Sequence, residues 1–149
     1  IILADGLAVG AYMAVNACGE IYDQDKILAG ALADDDRTII SSHRLMLEGY
    51  ERNMGGNTSI GCIITNADLT KTECRMVSTM AHDGLARSIR PVHTSMDGDT
   101  LFTMASGEVK TTIDTVGYLA EEAVRLAVLD AAASAEGMGG RPAYRDIIK

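Results

Sequence analysis

A single threonine, Thr58, stands where a nucleophile could be made. It follows the flexible stretch Gly55-Gly56-Asn57 and opens a run rich in β-branched residues. A threonine freed as a new N-terminus carries its own base, because an α-amino group of ordinary pKa about 7.7–8.0 then lies beside the hydroxyl. Before such a cut, the hydroxyl can attack the Asn57 carbonyl, and hydrolysis of the resulting ester divides the chain. Local sequence alone is more typical of a loop that enters a strand.

Two other patterns carry polar groups that such a nucleophile could use. Asp97 and Asp99 flank Gly98, so both carboxylates can face one site and position an α-ammonium group. Repulsion between the two would drive their pKa values apart, although a solvated turn is the commoner role of this pattern. Asn16 lies in an apolar run, where a buried amide needs a partner and can donate to an oxyanion. A satisfied structural asparagine is the alternative.

Other kinds of catalytic site have little support. The sequence contains no HExxH, GxSxG, P-loop or GxGxxG motif, and we predict no cofactor and no metal site. The three histidines, His43, His82 and His93, are far apart in sequence, so a His-based triad has no sequence support, although the fold could still bring such residues together. We interpret His82 as a satisfied or partly exposed residue of a helix, whereas His93, beside the Asp97–Asp99 turn, is as compatible with a structural role as with a catalytic one.

Hydrophobic periodicity and turn residues predict the elements that must position these side chains. A capping box at Thr70 and Glu73 marks the start of one helix. The predicted elements are buried strand over 7–23, a short strand over 27–32, a short helix over 42–50, a linker over 51–57, a strand over 58–66, a helix from 70 to about 88, a strand over 100–105, a helix from about 111 to 136, and a short edge element within 141–149. This order predicts a layered α/β (α+β) fold, either a helix–sheet–sheet–helix sandwich or a two-layer domain.

Composition limits the partners. The chain has 149 residues, enough for one domain, and a net charge of −8, which argues against nucleic acid and anionic membranes as partners. No apolar run is long enough to span a bilayer. The three cysteines form no CxxC pair, and we interpret them as small buried side chains in a reducing compartment, which favours a cytoplasmic location. Because residues 1–6 read like the inside of a strand, we expect a longer precursor.

Taken together, three segments resemble the family of β-aminopeptidases, D-aminopeptidase/esterases and nylon-oligomer hydrolases. They are Asn57-Thr58, the string HDGLARSIRPVHTSMDGDTLFTMASG at 82–107, and AVNACGEIYD at 14–23. The resemblance implies a four-layer αββα sandwich, here incomplete, in which residues 1–57 end an α chain and residues 58–149 form the β chain. It further implies an N-terminal segment of the same precursor as a partner, and a homo-oligomer.

The resemblance also implies a role for each candidate residue. Thr58 would be the nucleophile and its amino group the base, Asn16 the oxyanion-hole amide, and Asp97 and Asp99 the acidic pair beside the new N-terminus. A threonine with two aspartates is most similar to the nylon-oligomer hydrolase branch. The expected activity is release of N-terminal residues from peptides or cleavage of small amides. The alternatives are an acyltransferase similar to the ornithine acetyltransferases, and a non-catalytic oligomeric protein of the same fold.

Overall fold

The computed structural model describes residues 1–48 and 56–147. Most of the predicted linker over 51–57 therefore lies outside the described residues. The elements, in chain order, are the strands β1 (Val9–Ala14), β2 (Glu20–Asp23) and β3 (Lys26–Ala29), the helix α1 (Ser42–Leu47), the strand β4 (Ile60–Ala67), the helix α2 (Lys71–Ser88), the strands β5 (Ile89–Arg90) and β6 (Thr100–Val109), and the helices α3 (Ile113–Ser134) and α4 (Tyr144–Ile147).

The main sheet has the strand order β1-β4-β6, with β4 antiparallel to β1 and parallel to β6. Its central strand β4 alternates in burial, since Gly61, Ile63 and Thr65 face the core while Ile60 and Ile64 are exposed. This period of two is what a strand with one covered face requires. The predicted strand over 58–66 is therefore present, beginning two residues later.

The predicted strand over 7–23 is wrong as a single element. It divides into β1 in the main sheet and β2 in a second sheet of order β3-β2-β5. The stretch 15–19 between them is not strand, and it includes Gly19, where a side chain would collide with the backbone carbonyl of Pro91 at 2.2 Å. Gly19 interrupts the stretch in the sequence, but periodicity did not divide it into two strands because small and apolar residues continue on both sides.

Helices α2 and α3 cover one face of the main sheet. The start of α2 has the predicted capping box, with the Thr70 hydroxyl accepting from the Glu73 amide and the Glu73 carboxylate accepting from the Thr70 amide. The core joins both helices to all three strands. Its fully or nearly buried members include Val9, Ile63, Leu101, Val77, Leu85, Val116, Val124 and Val128. The layered α/β fold predicted from the element order is thus what the structure has.

The remaining differences lie at element ends. Strand β6 continues four residues past its predicted end at Ala105, because it stays paired with β4 as far as Val109. Helix α1 ends at Leu47, and α3 runs over Ile113–Ser134. The tail was predicted as an edge element, but its described part forms the short helix α4, which packs on α3.

Candidate active site

The Asn57–Thr58 peptide lies immediately before β4, between the β1–β2 connection and the turn that precedes β6. From one side, the Asn16 carbonyl accepts the Thr58 amide at 3.0 Å. From the other side, Asn57 bridges in parallel to Asp97, with its amide on the Met96 carbonyl at 3.2 Å. Residues distant in sequence thus meet at the one peptide bond that the sequence predicts to be cut.

The Thr58 hydroxyl is exposed and close to the carbonyl that precedes it. Its Oγ1 donates to the Asn57 carbonyl oxygen at 2.7 Å. The next residue, Ser59, is fully buried and begins the regular pairing with β6 through a bond from the Thr100 amide to the Ser59 carbonyl at 3.0 Å. Thr58 therefore stands at the boundary between solvent and the core, where a nucleophile is both reachable and fixed.

Asp99 is the buried carboxylate of the site. Its side chain is 4% exposed, and its Oδ1 accepts the Ser59 amide at 2.9 Å, which ties the turn to the residue after Thr58. Its Oδ2 lies 3.2 Å from Nδ1 of His93, and the two groups form an ion pair when the imidazole carries a proton. The low exposure of Asp99 makes such a contact stronger than its surface equivalent.

His93 connects Asp99 to helix α2. Its φ of 55° is in the left-handed region, which few residues other than glycine adopt and which is frequent at functional sites. The ring of His82 lies 4.9 Å from that of His93, centroid to centroid. Burial, and next the proximity of His93, lower the pKa of His82 below its ordinary value. His82 is half-buried, as expected from the sequence, and it belongs to the neighbourhood of the site.

Asp97 makes a different set of contacts from Asp99. Its Oδ2 accepts both the Thr94 amide at 2.9 Å and the Thr94 hydroxyl at 2.7 Å. This closes the turn over 94–97, in which the Asp97 amide also donates to the Thr94 carbonyl. The two carboxylates of the Asp97–Asp99 pattern are both half-buried or more, but Asp97 shapes the turn while Asp99 reaches β4.

Asn16 meets Thr58 through its backbone, and its exposed side chain borders a cleft. The cleft is lined by small residues around the Asn57 side chain, including Ala17, Gly30 and Ala31. The Asn57 Nδ2 donates to the Ala17 carbonyl at 3.1 Å, which fixes the residue before Thr58. An acyl group of modest size could enter from this side.

Sequence reasoning missed two contributors to this arrangement. Thr94 was not singled out, although its position three residues before Asp97 is the spacing of a side-chain-closed turn. The Gly98 amide donates to the Asn57 carbonyl at 2.8 Å, a backbone contact for which the sequence carries no signal beyond the glycine itself. His43, the third histidine, is exposed on α1 and takes no part in these contacts.

Over residues 1–48 and 56–147, no three His, Cys, Asp or Glu side chains come together in a way that could hold a metal ion. Within the same ranges, no helix has the length and apolar character needed to cross a membrane.

The chain is similar in sequence to known proteins over nearly its whole length. The sequence model of peptidase family S58 matches residues 2–145. A protein of Mycobacterium leprae (strain TN), named an uncharacterized aminopeptidase, is 34% identical over 165 residues, covering 97% of this chain and 45% of that protein. A 6-aminohexanoate-oligomer endohydrolase of Kocuria sp. (strain KY2) is 41% identical over 54 residues, covering 36% of this chain and 15% of the enzyme.

A solved structure shares the fold. The crystal structure of a protein from Pyrococcus horikoshii OT3 superposes with a TM-score of 0.50 at 22% identity, covering 96% of this chain and 45% of that one. The chain spans about half the length of the curated aminopeptidases that it matches.

Proposed function

Because this chain belongs to peptidase family S58, we propose that it is part of a self-processing amide hydrolase with Thr58 as its nucleophile. One observation carries this proposal. The exposed Thr58 hydroxyl lies 2.7 Å from the Asn57 carbonyl oxygen, in a peptide held from both sides by hydrogen bonds. A reacting group fixed beside its target in this way is what an intramolecular cleavage needs.

Self-cleavage would proceed as an acyl shift followed by hydrolysis. The Thr58 Oγ forms a bond to the Asn57 carbonyl carbon, and the carbon–nitrogen bond of that peptide breaks. The hydroxyl proton ends on the departing nitrogen, which becomes the free amine of Thr58. Water then attacks the ester, leaving a carboxylate on Asn57 and restoring the hydroxyl on Thr58.

The same two groups of Thr58 would then act on substrate. The free amine accepts the hydroxyl proton as Oγ attacks the substrate carbonyl, and it passes that proton to the leaving amine. The Asn16 carbonyl, 3.0 Å from the Thr58 nitrogen, can hold one N–H of the amine so that its lone pair faces the hydroxyl. Asp99 fixes the adjacent Ser59 amide at 2.9 Å. The Asn16 side chain is proposed as the donor to the substrate oxyanion.

The proposed substrates are peptides with a free N-terminus or small amides. The relatives above bear the names aminopeptidase and 6-aminohexanoate-oligomer endohydrolase, both of which denote amide hydrolysis. The cleft beside Asn57, lined by small side chains, would admit a short acyl group. These names favour water as the acceptor over the amine acceptor of an acyltransferase.

We include an N-terminal segment of the same precursor, and a homo-oligomeric state, in the proposal. The chain spans about half the length of its curated relatives. The outward face of the main sheet also leaves apolar side chains exposed, among them Tyr12, Phe102 and Met104. A second layer on this face would bury them.

The test is the intact mass of the protein expressed from its full reading frame. We expect two polypeptides divided between Asn57 and Thr58, and turnover of amino-acid p-nitroanilides. Thr58→Ala should remain uncut and inactive, because it has no hydroxyl to attack the carbonyl. Thr72→Ala, which removes an exposed hydroxyl on α2, is the matched control and should be cut like the wild type.

Two outcomes would contradict the proposal. A wild-type protein that stays uncut under all conditions, together with full activity in Thr58→Ala, would remove Thr58 from the mechanism. Transfer of an acetyl group from acetylornithine to glutamate, without p-nitroanilide turnover, would instead identify an acyltransferase.

A further inference from the structure

From the described residues, the carbonyl oxygen of Asn57 accepts two hydrogen bonds, which come from groups of different origin. One comes from the Thr58 hydroxyl at 2.7 Å, and the other from the backbone amide of Gly98 at 2.8 Å. The second is fixed by the parallel bridge between Asn57 and Asp97, whose other bond joins the Asn57 amide to the Met96 carbonyl. An amide donor is thus already aimed at the one carbonyl that self-cleavage must attack.

A donor in this position would act on the transition state. When the Thr58 hydroxyl attacks, the Asn57 carbonyl oxygen gains negative charge, and a fixed N–H at 2.8 Å stabilises that charge without reorganising. The attacking hydroxyl cannot do this in the same step, because its proton must leave for the nitrogen. Of these two hydrogen bonds, the one from the Gly98 amide is therefore the bond that can persist while the hydroxyl loses its proton.

The residue type at position 98 is explained by the same geometry. A Cβ placed on Gly98 would lie 2.6 Å from Oγ1 of Thr58, a distance that real Cβ atoms do not adopt. The glycine therefore lets the backbone amide approach the scissile carbonyl while the hydroxyl occupies the space beside it. The close approach of the amide and the space for the hydroxyl are both required at the Asn57–Thr58 peptide. Neither involves the carboxylates on either side of Gly98.

We propose that the Gly98 backbone N–H is the oxyanion donor for cleavage of the Asn57–Thr58 bond. This inference rests on the proposed self-processing and adds a catalytic group to it. The Asp97–Asp99 turn then contributes a backbone donor at its centre as well as its carboxylates. Asp97 supports that donor indirectly, by closing the turn through its two bonds from Thr94.

The sharpest test replaces the Gly98 N–H by an oxygen and adds no side chain. Cell-free translation of the full protein, with glycolic acid in place of Gly98, replaces the amide by an ester that has no proton and no side chain. Cleavage is followed over time by fragment mass, which also distinguishes a cut at 57/58 from hydrolysis of the introduced ester. We expect the rate at 57/58 to fall about 10²- to 10³-fold, as on loss of one oxyanion donor.

The matched control is the same replacement at Gly6. Its amide also donates one backbone hydrogen bond in a turn, to the Leu3 carbonyl at 3.0 Å, but this turn takes no part in the contacts of the Asn57–Thr58 peptide. The Gly6 ester should be cut at the wild-type rate. Cleavage of the Gly98 ester within threefold of the wild-type rate would overturn the inference while leaving the self-processing itself intact. A wild type that is never cut at 57/58 would overturn both.

A second variant tests the space argument with ordinary mutagenesis. Gly98→Ala keeps the N–H but forces Oγ1 of Thr58 to move, so cleavage should slow at least tenfold. Thr72→Ala, which shortens an exposed side chain on α2 away from this site, is the control and should leave the rate unchanged. Wild-type cleavage in Gly98→Ala would show that the close packing against Thr58 is not required.

Discussion

At the scale of single residues, each candidate residue holds a particular backbone group of the site in place. Asp99 reaches the Ser59 amide, Asp97 closes its own turn through Thr94, and Asn16 accepts the Thr58 amide by its carbonyl. Only Asp99 is nearly excluded from water, at 4% exposure.

His82 should make the stability of the protein depend on pH. Its pKa is lowered in the folded state by burial and then by His93, with Asp99 and Asp83 acting in the opposite direction. The folded protein thus binds fewer protons at this site than the unfolded chain, and folding stability rises with pH. The contribution is complete above the ordinary pKa of about 6.5 and is lost as pH falls through the lowered value.

Urea unfolding at pH 7 and pH 5 measures this effect. The free energy of unfolding should fall between the two values in the wild type, and His82→Gln should reduce that fall. His43→Gln, at an exposed position on α1, should leave it unchanged. An identical fall in His82→Gln and wild type would show that His82 does not carry the dependence.

At the scale of elements, the Asn57–Thr58 peptide leads into β4, and the sheet that contains β4 is covered by the helices α2 and α3. Helix α2 packs chiefly on α3, and both place a glycine at the interface. At Gly84, an added Cβ would lie 2.3 Å from the backbone carbonyl of Glu121, whereas at Gly117 it would meet the end of the Met80 side chain at 2.2 Å. Only the second neighbour can move without shifting a helix.

Because of this difference, the two buried helical glycines should tolerate substitution by alanine to different degrees. Gly84→Ala should cost about 1–2 kcal/mol net, since overpacking against a backbone atom that cannot yield costs about 2–3 kcal/mol and better helix propensity returns about 1 kcal/mol. Gly117→Ala should change stability by less than about 1 kcal/mol, because the flexible Met80 can yield. Thermal or urea unfolding of both variants checks this. Equal losses of stability in the two variants would contradict this difference between a fixed backbone neighbour and a flexible side chain.

At the scale of the whole molecule, the main sheet is covered on one face only within the described residues. Helices α2 and α3 bury the inner positions, while the outer positions remain open, with Tyr12 75%, Met104 61% and Phe102 55% exposed. An apolar face of this kind marks an interaction site. We propose that in the complete protein it packs against the N-terminal segment of the precursor.

A polypeptide limited to residues 1–149 should therefore self-associate through this face. Light scattering coupled to gel filtration should show species larger than the 15.8 kDa monomer. Met104→Lys, on the outer face, should shift the distribution towards monomer, because a charge there opposes burial. Met76→Lys, at a similarly exposed position on α2, is the control and should not. A monodisperse monomer in the unsubstituted polypeptide would contradict the prediction.

Much of the architecture was determined by the sequence alone. Hydrophobic periods and the Thr70 capping box place β4, β6, α2 and α3 to within a few residues, because these elements are long and strongly patterned. The family resemblance, carried by Asn57-Thr58 and the segments 14–23 and 82–107, is confirmed by the S58 match over residues 2–145. The site roles of Thr58, Asn16, Asp97 and Asp99 remain predictions, with the geometry above as their support.

Only the tertiary structure decided which atoms meet. The break between β1 and β2 depends on a close approach of Gly19 to Pro91, and the separate partners of Asp97 and Asp99 depend on the path of one turn. The Gly98 amide reaches the Asn57 carbonyl through a parallel bridge between segments about forty residues apart. Every residue other than proline has the same backbone N–H, so sequence cannot say which one faces a scissile carbonyl. That is fixed only when the strands pair.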